Sequence, residues 1–327
     1  MKVFVAGGSG AMGRRLVPRL VAEGYEVAAM TRDESRAPWL SAVGAQPVIA
    51  DALDRAAVRA AVAGARPEVI IHQLTALSGV TDFKHFDRGF ALTNRLRTEG
   101  TDYLLEGARA AGTRRFIAQS YGNWNYAPGG TGLRTEQDPF DPAPPANQKR
   151  SLAAIRYVEN AVMNAGGIEG IALRYGNFYG PGTGFDVDGN MVAQVRRRRL
   201  PVVGDGSGVW SFVHMDDAAA AAIAAIAHGG PGVYNVADDE PLPVSVWLPL
   251  LAEAVGAKPP MHVPVWLGRL AAGAVGVSMM TRIPGTSNAK AKAELGWAPR
   301  YRTCREGFRH GLGDVPVPGF GPLPAGS

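Results

Sequence analysis

Lys2-Val3-Phe4-Val5-Ala6-Gly7-Gly8-Ser9-Gly10-Ala11-Met12-Gly13 is the stretch that decides the fold. Val3 to Ala6 is a short, wholly apolar run, as expected of a strand covered on both faces. Glycines follow at once, and a helical pattern over residues 13–23 follows them. A strand, a glycine turn and a helix in that order bring backbone N–H groups and the positive end of a helix to the place where a pyrophosphate would lie. The segment satisfies both G-x-G-x-x-G and G-x-x-G-x-x-G, and its position at the first strand–helix junction makes the match specific. Gly7, Gly10, Ala11, Met12 and Gly13 are therefore candidate cofactor contacts; the competing reading is a structural glycine turn.

The pattern continues outward. Residues 2–6, 26–30, 46–49, 69–73 and 115–119 read as five strands, with helical stretches at 13–23, 37–43, 54–63 and 90–111 between them. Such alternation predicts an α/β fold, a Rossmann-type doubly wound parallel sheet. A Pro/Gly-rich loop at 127–146 leads to a helix at 151–165 and a sixth strand at 170–174. A chain of 327 residues exceeds one simple core, so a smaller, intertwined C-terminal substrate lobe is expected. Residues 1–174 and 211–237 are assigned to the dinucleotide-binding domain, 175–210 and 238–313 to the substrate lobe, and 314–327 to a flexible tail.

Composition narrows the function. Net charge is +5, mild for this length, and argues for no nucleic acid as partner; Arg196-Arg197-Arg198-Arg199 reads as a solvated helix end. One cysteine and six histidines without ligand spacing predict no metal site. The longest apolar stretch, 263–280, is interrupted by Pro264, Arg269 and glycines, so no membrane partner is expected, and the chain reads as cytoplasmic.

The second strand ends Met30-Thr31-Arg32, where an NAD site usually places a carboxylate for the adenosine ribose. Arg32, with Arg14 or Arg36 nearby, suits a 2′-phosphate, so the expected cofactor is NADP(H), with NAD the alternative. Asp51 and Ala52 are placed for the adenine edge, although Asp51 also suits a turn cap, and Gln73, Leu74 and Thr75 for the pyrophosphate or ribose side.

The glycine loop, Asp51-Ala52-Leu53-Asp54, Val69-Ile70-Ile71-His72, Gly100-Thr101, Leu173-Arg174-Tyr175-Gly176-Asn177-Phe178-Tyr179-Gly180-Pro181-Gly182, Phe212-Val213-His214-Met215-Asp216-Asp217 and Leu295-Gly296-Trp297 occur in the order found in the extended short-chain dehydrogenase/reductase superfamily, which the chain resembles over residues 1–312. The resemblance implies a cleft between the lobes, with nicotinamide near Tyr175, Asn177 and Phe178. It also implies a homodimer through the helices at 90–111 and 151–165, on a surface made basic by Arg95, Arg97, Lys149 and Arg156; a monomer stays open.

The chain departs from this family where the chemistry is done. The family's tyrosine, four residues before a lysine, falls on Ser151 and Ile155, while Tyr121 occupies the usual Ser/Thr position after the fifth strand. Tyr121 is the expected proton donor, with Ser120, Asn123 or Ser151 completing a relay, against the alternative that Tyr121 only walls the pocket. Trp210 stands where nucleotide-sugar enzymes commonly carry an arginine; with Trp124, Phe185 and Met191 it suggests a small apolar or aromatic substrate, although these residues suit lobe packing equally. The leading expectation is an NADPH-dependent carbonyl reductase with an atypical active site. The alternatives are an epimerase, isomerase or lyase using tightly bound NAD(P), and an inactive NADP(H)-binding sensor or scaffold.

Overall fold

The computed structural model describes residues 1–77, 84–129 and 132–313; the tail assigned to 314–327 lies outside the described residues. Seven strands, β1 (Lys2–Ala6), β2 (Glu26–Thr31), β3 (Gln46–Ile49), β4 (Val69–His72), β5 (Arg115–Tyr121), β6 (Glu169–Tyr175) and β7 (Gly232–Val236), form one sheet in the order β7-β6-β5-β4-β1-β2-β3. Every neighbouring pair is parallel. The order reverses between β1 and β4, and in open parallel sheets ligands bind in the crevice at that switch.

Helices cover both faces, as the apolar strands require. α1 (Ala11–Ala22) lies on one face against a distant alanine-rich helix, while α2 (Arg55–Ala65), α3 (Thr101–Ala111) and α4 (Lys149–Met163) lie on the other; that alanine-rich partner of α1 is α5 (Met215–Ala227). Lys149, just outside the helix expected at 151–165, is the first residue of α4. The long helix expected over 90–111 is divided into Phe86–Gly89, Ala91–Arg95, a π-turn at Leu96–Gly100, and α3.

After β6 the chain leaves the sheet. Asn177–Tyr179 pairs in parallel with Phe212–His214, and a second core forms around Phe185, Trp210, Phe212, Trp247 and Phe308. The domain boundary is less simple than the sequence implied, because Ala291, Leu295 and Trp297 return to the sheet core beside α5. Trp297 Nε1 donates to the Asp217 carbonyl at 3.0 Å, fixing that return.

Candidate active site

The glycine loop is built for close approach. Gly7 has φ +92°, and a Cβ at Gly13 would lie 2.3 Å from the Gly8 carbonyl oxygen, so only glycine lets α1 start beneath the loop. Gly10 caps α1 with no side-chain hydrogen bond, and no acidic residue stands in the first turn, leaving the helix start open to an anion. Across the switch point, Gln73 is buried, and neither Nε2 nor Oε1 of its amide has a hydrogen-bond partner among the described residues. Buried amides are rarely left so. An open helix start and a partnerless amide fit a dinucleotide: the amides from Gly7 to Gly13 would hold pyrophosphate, with Gln73, Leu74 and Thr75 on its far side.

At the end of β2, Thr31 is hydrogen-bonded to Ser9 (Oγ···Oγ1 2.7 Å) and accepts the Asp33 N–H at 3.2 Å. Asp33 is turned onto its own loop, accepting from the Ser35 N–H and hydroxyl at 3.0 and 2.6 Å; these bonds, with Arg36 3.4 Å away, hold its carboxyl below the usual range. Arg32 is exposed beside them and has no ion-pair partner among the described residues. Asp51 accepts the Leu53 N–H at 2.9 Å, so it does cap its turn, with Ala52 buried behind it.

Of the residues expected near nicotinamide, Tyr175 is misplaced: its ring lies in the sheet core and its hydroxyl donates to the Ala218 carbonyl at 3.4 Å. Phe178 is half-buried above it, ring centroids 5.2 Å apart. Asn177 lies beside the end of β5, where its Oδ1 accepts the Tyr121 hydroxyl at 2.8 Å.

Tyr121 ends β5, and burial pushes its phenol above the ordinary tyrosine value despite the opposing charge of Arg97 and the Asn177 hydrogen bond. Its expected helpers are elsewhere. Successive strand residues face opposite ways, and Ser120 donates to Glu159 Oε1 at 2.6 Å behind the sheet, where Glu159 also holds Arg174 through bonds of 2.8 and 2.7 Å. Ser120 is thus tied to a buried ion pair. Ser151 is likewise occupied: its hydroxyl donates to Asp87 at 2.6 Å and accepts from Asn94 at 3.1 Å, while Asp87 caps the start of α4 through the Arg150 and Ser151 N–H groups. Asn123 spends its Nδ2 on the Val209 and Pro284 carbonyls, at 3.2 and 3.1 Å, and its Oδ1 accepts from Asn177 at 3.1 Å. Among the expected helpers, only Asn123 is linked to Tyr121, through Asn177.

The aromatic wall also differs from expectation. Trp210 and Phe185 pack inside the second lobe, with Trp210 4.8 Å from Trp247 and its Nε1 donating to the Met279 carbonyl at 2.9 Å. Met191 is half-buried against that same core. Trp124 alone of the four meets Tyr121, at 5.6 Å, and it adjoins Phe86, which stacks on Phe90 at 4.2 Å. Phe86 and Phe90 were missed, although their i,i+4 spacing was a visible signal. Arg97 was misread: the expected surface cation is 3% exposed, and its Nε and Nη1 have no hydrogen-bond partner among the described residues.

No helix among the described residues is long and apolar enough to cross a membrane, and no cluster of three or more His, Cys, Asp or Glu among them is suited to a metal.

Comparison with known proteins agrees with this architecture. The family model described as the NAD dependent epimerase/dehydratase family matches residues 3–237. A 3-diazoavenalumate denitrifying reductase from a Streptomyces species is 43% identical over 309 residues, covering 94% of this chain and 99% of that protein. A 2-alkyl-3-oxoalkanoate reductase from Stenotrophomonas maltophilia is 28% identical, covering 79% of this chain and 76% of its own. Among solved structures, a Thermus thermophilus UDP-glucose 4-epimerase in complex with NAD superimposes with a TM-score of 0.73 at 27% identity, covering 95% of this chain and 98% of the other. With its sheet, its glycine loop and relatives named as reductases, the chain is an oxidoreductase of the extended short-chain dehydrogenase/reductase type, and it belongs to the NAD-dependent epimerase/dehydratase family.

Proposed function

We propose that this protein is an NADPH-dependent reductase acting on a small, largely apolar or aromatic molecule at the Tyr121 end of the cleft. The observation that supports this best is the pairing of an open glycine-loop helix start with a buried phenol walled by Trp124. Arg32, free beside an Asp33 already engaged by Ser35, favours a 2′-phosphate over a bare ribose. A bound dihydronicotinamide would supply the hydride.

The protein's own part is orientation and a proton. Because burial raises the Tyr121 phenol, it stays protonated at neutral pH and suits donation rather than abstraction. Asn177 Oδ1 holds that hydrogen until a substrate oxygen replaces it. In carbonyl reduction the C=O carbon gains hydride, its oxygen takes the Tyr121 proton to become an alcohol, and Tyr121 recovers a proton from water. Trp124, beside Tyr121 and backed by Phe86, favours a flat apolar body.

A second reading has an aryl diazo group as the electrophile. It is favoured by the 43% identical denitrifying reductase and by Ser151 and Ile155 in place of a tyrosine–lysine pair. Hydride added to the terminal nitrogen of an aryl diazonium gives a diazene, which expels N2 and leaves a C–H bond, so no proton donor is needed at an oxygen.

Calorimetry with NADPH and NADH, followed by NADPH-oxidation assays on a panel of ketones and aryl diazo compounds, tests both. The expected result is tighter NADPH binding and oxidation with one panel, yielding an alcohol or N2. Absence of binding to either coenzyme overturns the proposal, and binding without turnover of any compound favours the sensor alternative.

A further inference from the structure

The start of the helix Val265–Thr281 is apolar almost all round, yet it stands in water. Trp266 and Leu270, one turn apart, are 63% and 64% exposed, and Met261, Val265 and Leu267 beside them are exposed too. Trp266 is the one exposed tryptophan among the described residues. A helix of this composition is normally buried, and a contiguous exposed apolar patch marks an interaction surface. Gly273, at φ +71°, breaks the helix. The half after it buries Val275, Val277, Met279 and Met280 in the second core, while the half before it is seated only through Gly268, packed on Val203.

Cations rim the patch. The Val202 N–H donates to the Met261 carbonyl at 2.8 Å and Arg198 Nε to the Pro259 carbonyl at 3.2 Å, which fixes the exposed run Arg196–Arg199 beside residues 259–263. Lys258 and Arg269 are exposed on the same segment. Neither the four arginines nor Lys258 and Arg269 form an ion pair among the described residues. No Asp or Glu occurs in residues 189–204 or 254–293. Asp205, next along the chain, is turned onto the Ser207 N–H and hydroxyl at 3.1 and 2.8 Å.

We propose that this face docks the protein on an anionic lipid surface, with Trp266 and Leu270 entering the boundary between headgroups and acyl chains and the cations meeting the headgroups. The helix is not long and apolar enough to cross a bilayer, but lying on one asks only for an exposed apolar face with cations around it. The single sign of the rim selects this occupant. A second copy of the chain, meeting the patch about a two-fold axis, would set the arginines against their own counterparts. An acidic protein would answer the charge, but side chains this exposed project from the surface instead of lining a groove, which suits insertion into a fluid layer. The reductase reading is not needed for this inference.

The test is co-sedimentation of the full chain with vesicles of phosphatidylcholine, alone or with about 30% phosphatidylserine, in about 0.1 M and about 0.5 M salt. Binding to the anionic vesicles at low salt is expected. The higher salt, Trp266→Ser with Leu270→Ser, and Arg197→Gln with Arg199→Gln should each weaken it at least ~10-fold. In the unaltered protein, lipids brominated along the acyl chain should quench part of the tryptophan fluorescence, and Trp266→Phe should remove that quenching. If the serine double variant fails to fold, this second measurement decides. Absence of binding to the anionic vesicles, equal binding to the neutral ones, binding that either double variant leaves unchanged, or quenching that persists in Trp266→Phe overturns the proposal. Two further results overturn it in favour of another occupant. A lipid-free dimer that the serine variant dissociates, seen by sedimentation velocity, assigns the face to a second copy. Retention on immobilised polyglutamate without vesicle binding assigns it to an acidic protein.

Discussion

The two sides of the cleft are constructed differently. The glycine-loop side is built from backbone: close-packed glycines, an open helix start and strand ends whose geometry follows from local sequence. The Tyr121 side is made of side chains drawn from three distant segments, Phe86–Phe90, Tyr121–Trp124 and Asn177, joined only in the folded chain. The backbone side tolerates little change because sterics set it, whereas the side-chain side is set by contacts between residues far apart in sequence.

The largest effect that would break this contrast is on the backbone side. Gly13→Ala would set a methyl 2.3 Å from the Gly8 carbonyl oxygen, and calorimetry should find coenzyme binding weakened at least ~100-fold, or the protein unfolded. Retained binding would show the loop less constrained than its geometry implies. Next in size, Tyr121→Phe removes the donor to Asn177, and alcohol formation from a ketone should fall by roughly 100-fold to 10,000-fold in kcat. N2 release from an aryl diazo compound should change little, so this one variant separates the two electrophiles. Arg32→Ala should then reduce the preference for NADPH over NADH by roughly 10-fold or more, measured as the ratio of the two kcat/KM values.

The smallest effect concerns stability. The His72 pKa is lowered to about 4 in the fold from about 6.5 in the open chain, so the unfolded state binds the extra proton between these values. The stability His72 contributes is therefore complete above about pH 6.5 and lost as pH falls towards 4. Asp217, raised to about 6 by burial, acts in the opposite sense, so the useful quantity is a difference. Urea midpoints for His72→Asn should depend less steeply on pH between 4 and 6.5 than those of the parent protein, by on the order of 1 kcal/mol of stability across that range.

What could be read from sequence follows the same division. The six strands through residue 175 and the glycine loop are local patterns, and they fall within a residue or two of their observed limits. The position of Tyr121 was legible because strand register carries it. Ser120 was misassigned as its helper although alternation along a strand already turns it away, towards Glu159. Trp210 and Phe185 were misread because composition does not separate an aromatic that lines a cleft from one that fills a core. Arg97 was hidden for a different reason: in a regular helix its spacing suits the surface, and the π-turn that buries it is not visible in hydrophobic periodicity.

That π-turn has a consequence for any homologue that differs in length there. One extra residue wound into a helix rotates everything before it by about 100° relative to everything after it. Deleting a single residue between Leu96 and Gly100 would swing Phe86 and Phe90 away from Trp124 while leaving α3 on the sheet, unstitching the aromatic cluster without changing any residue in it.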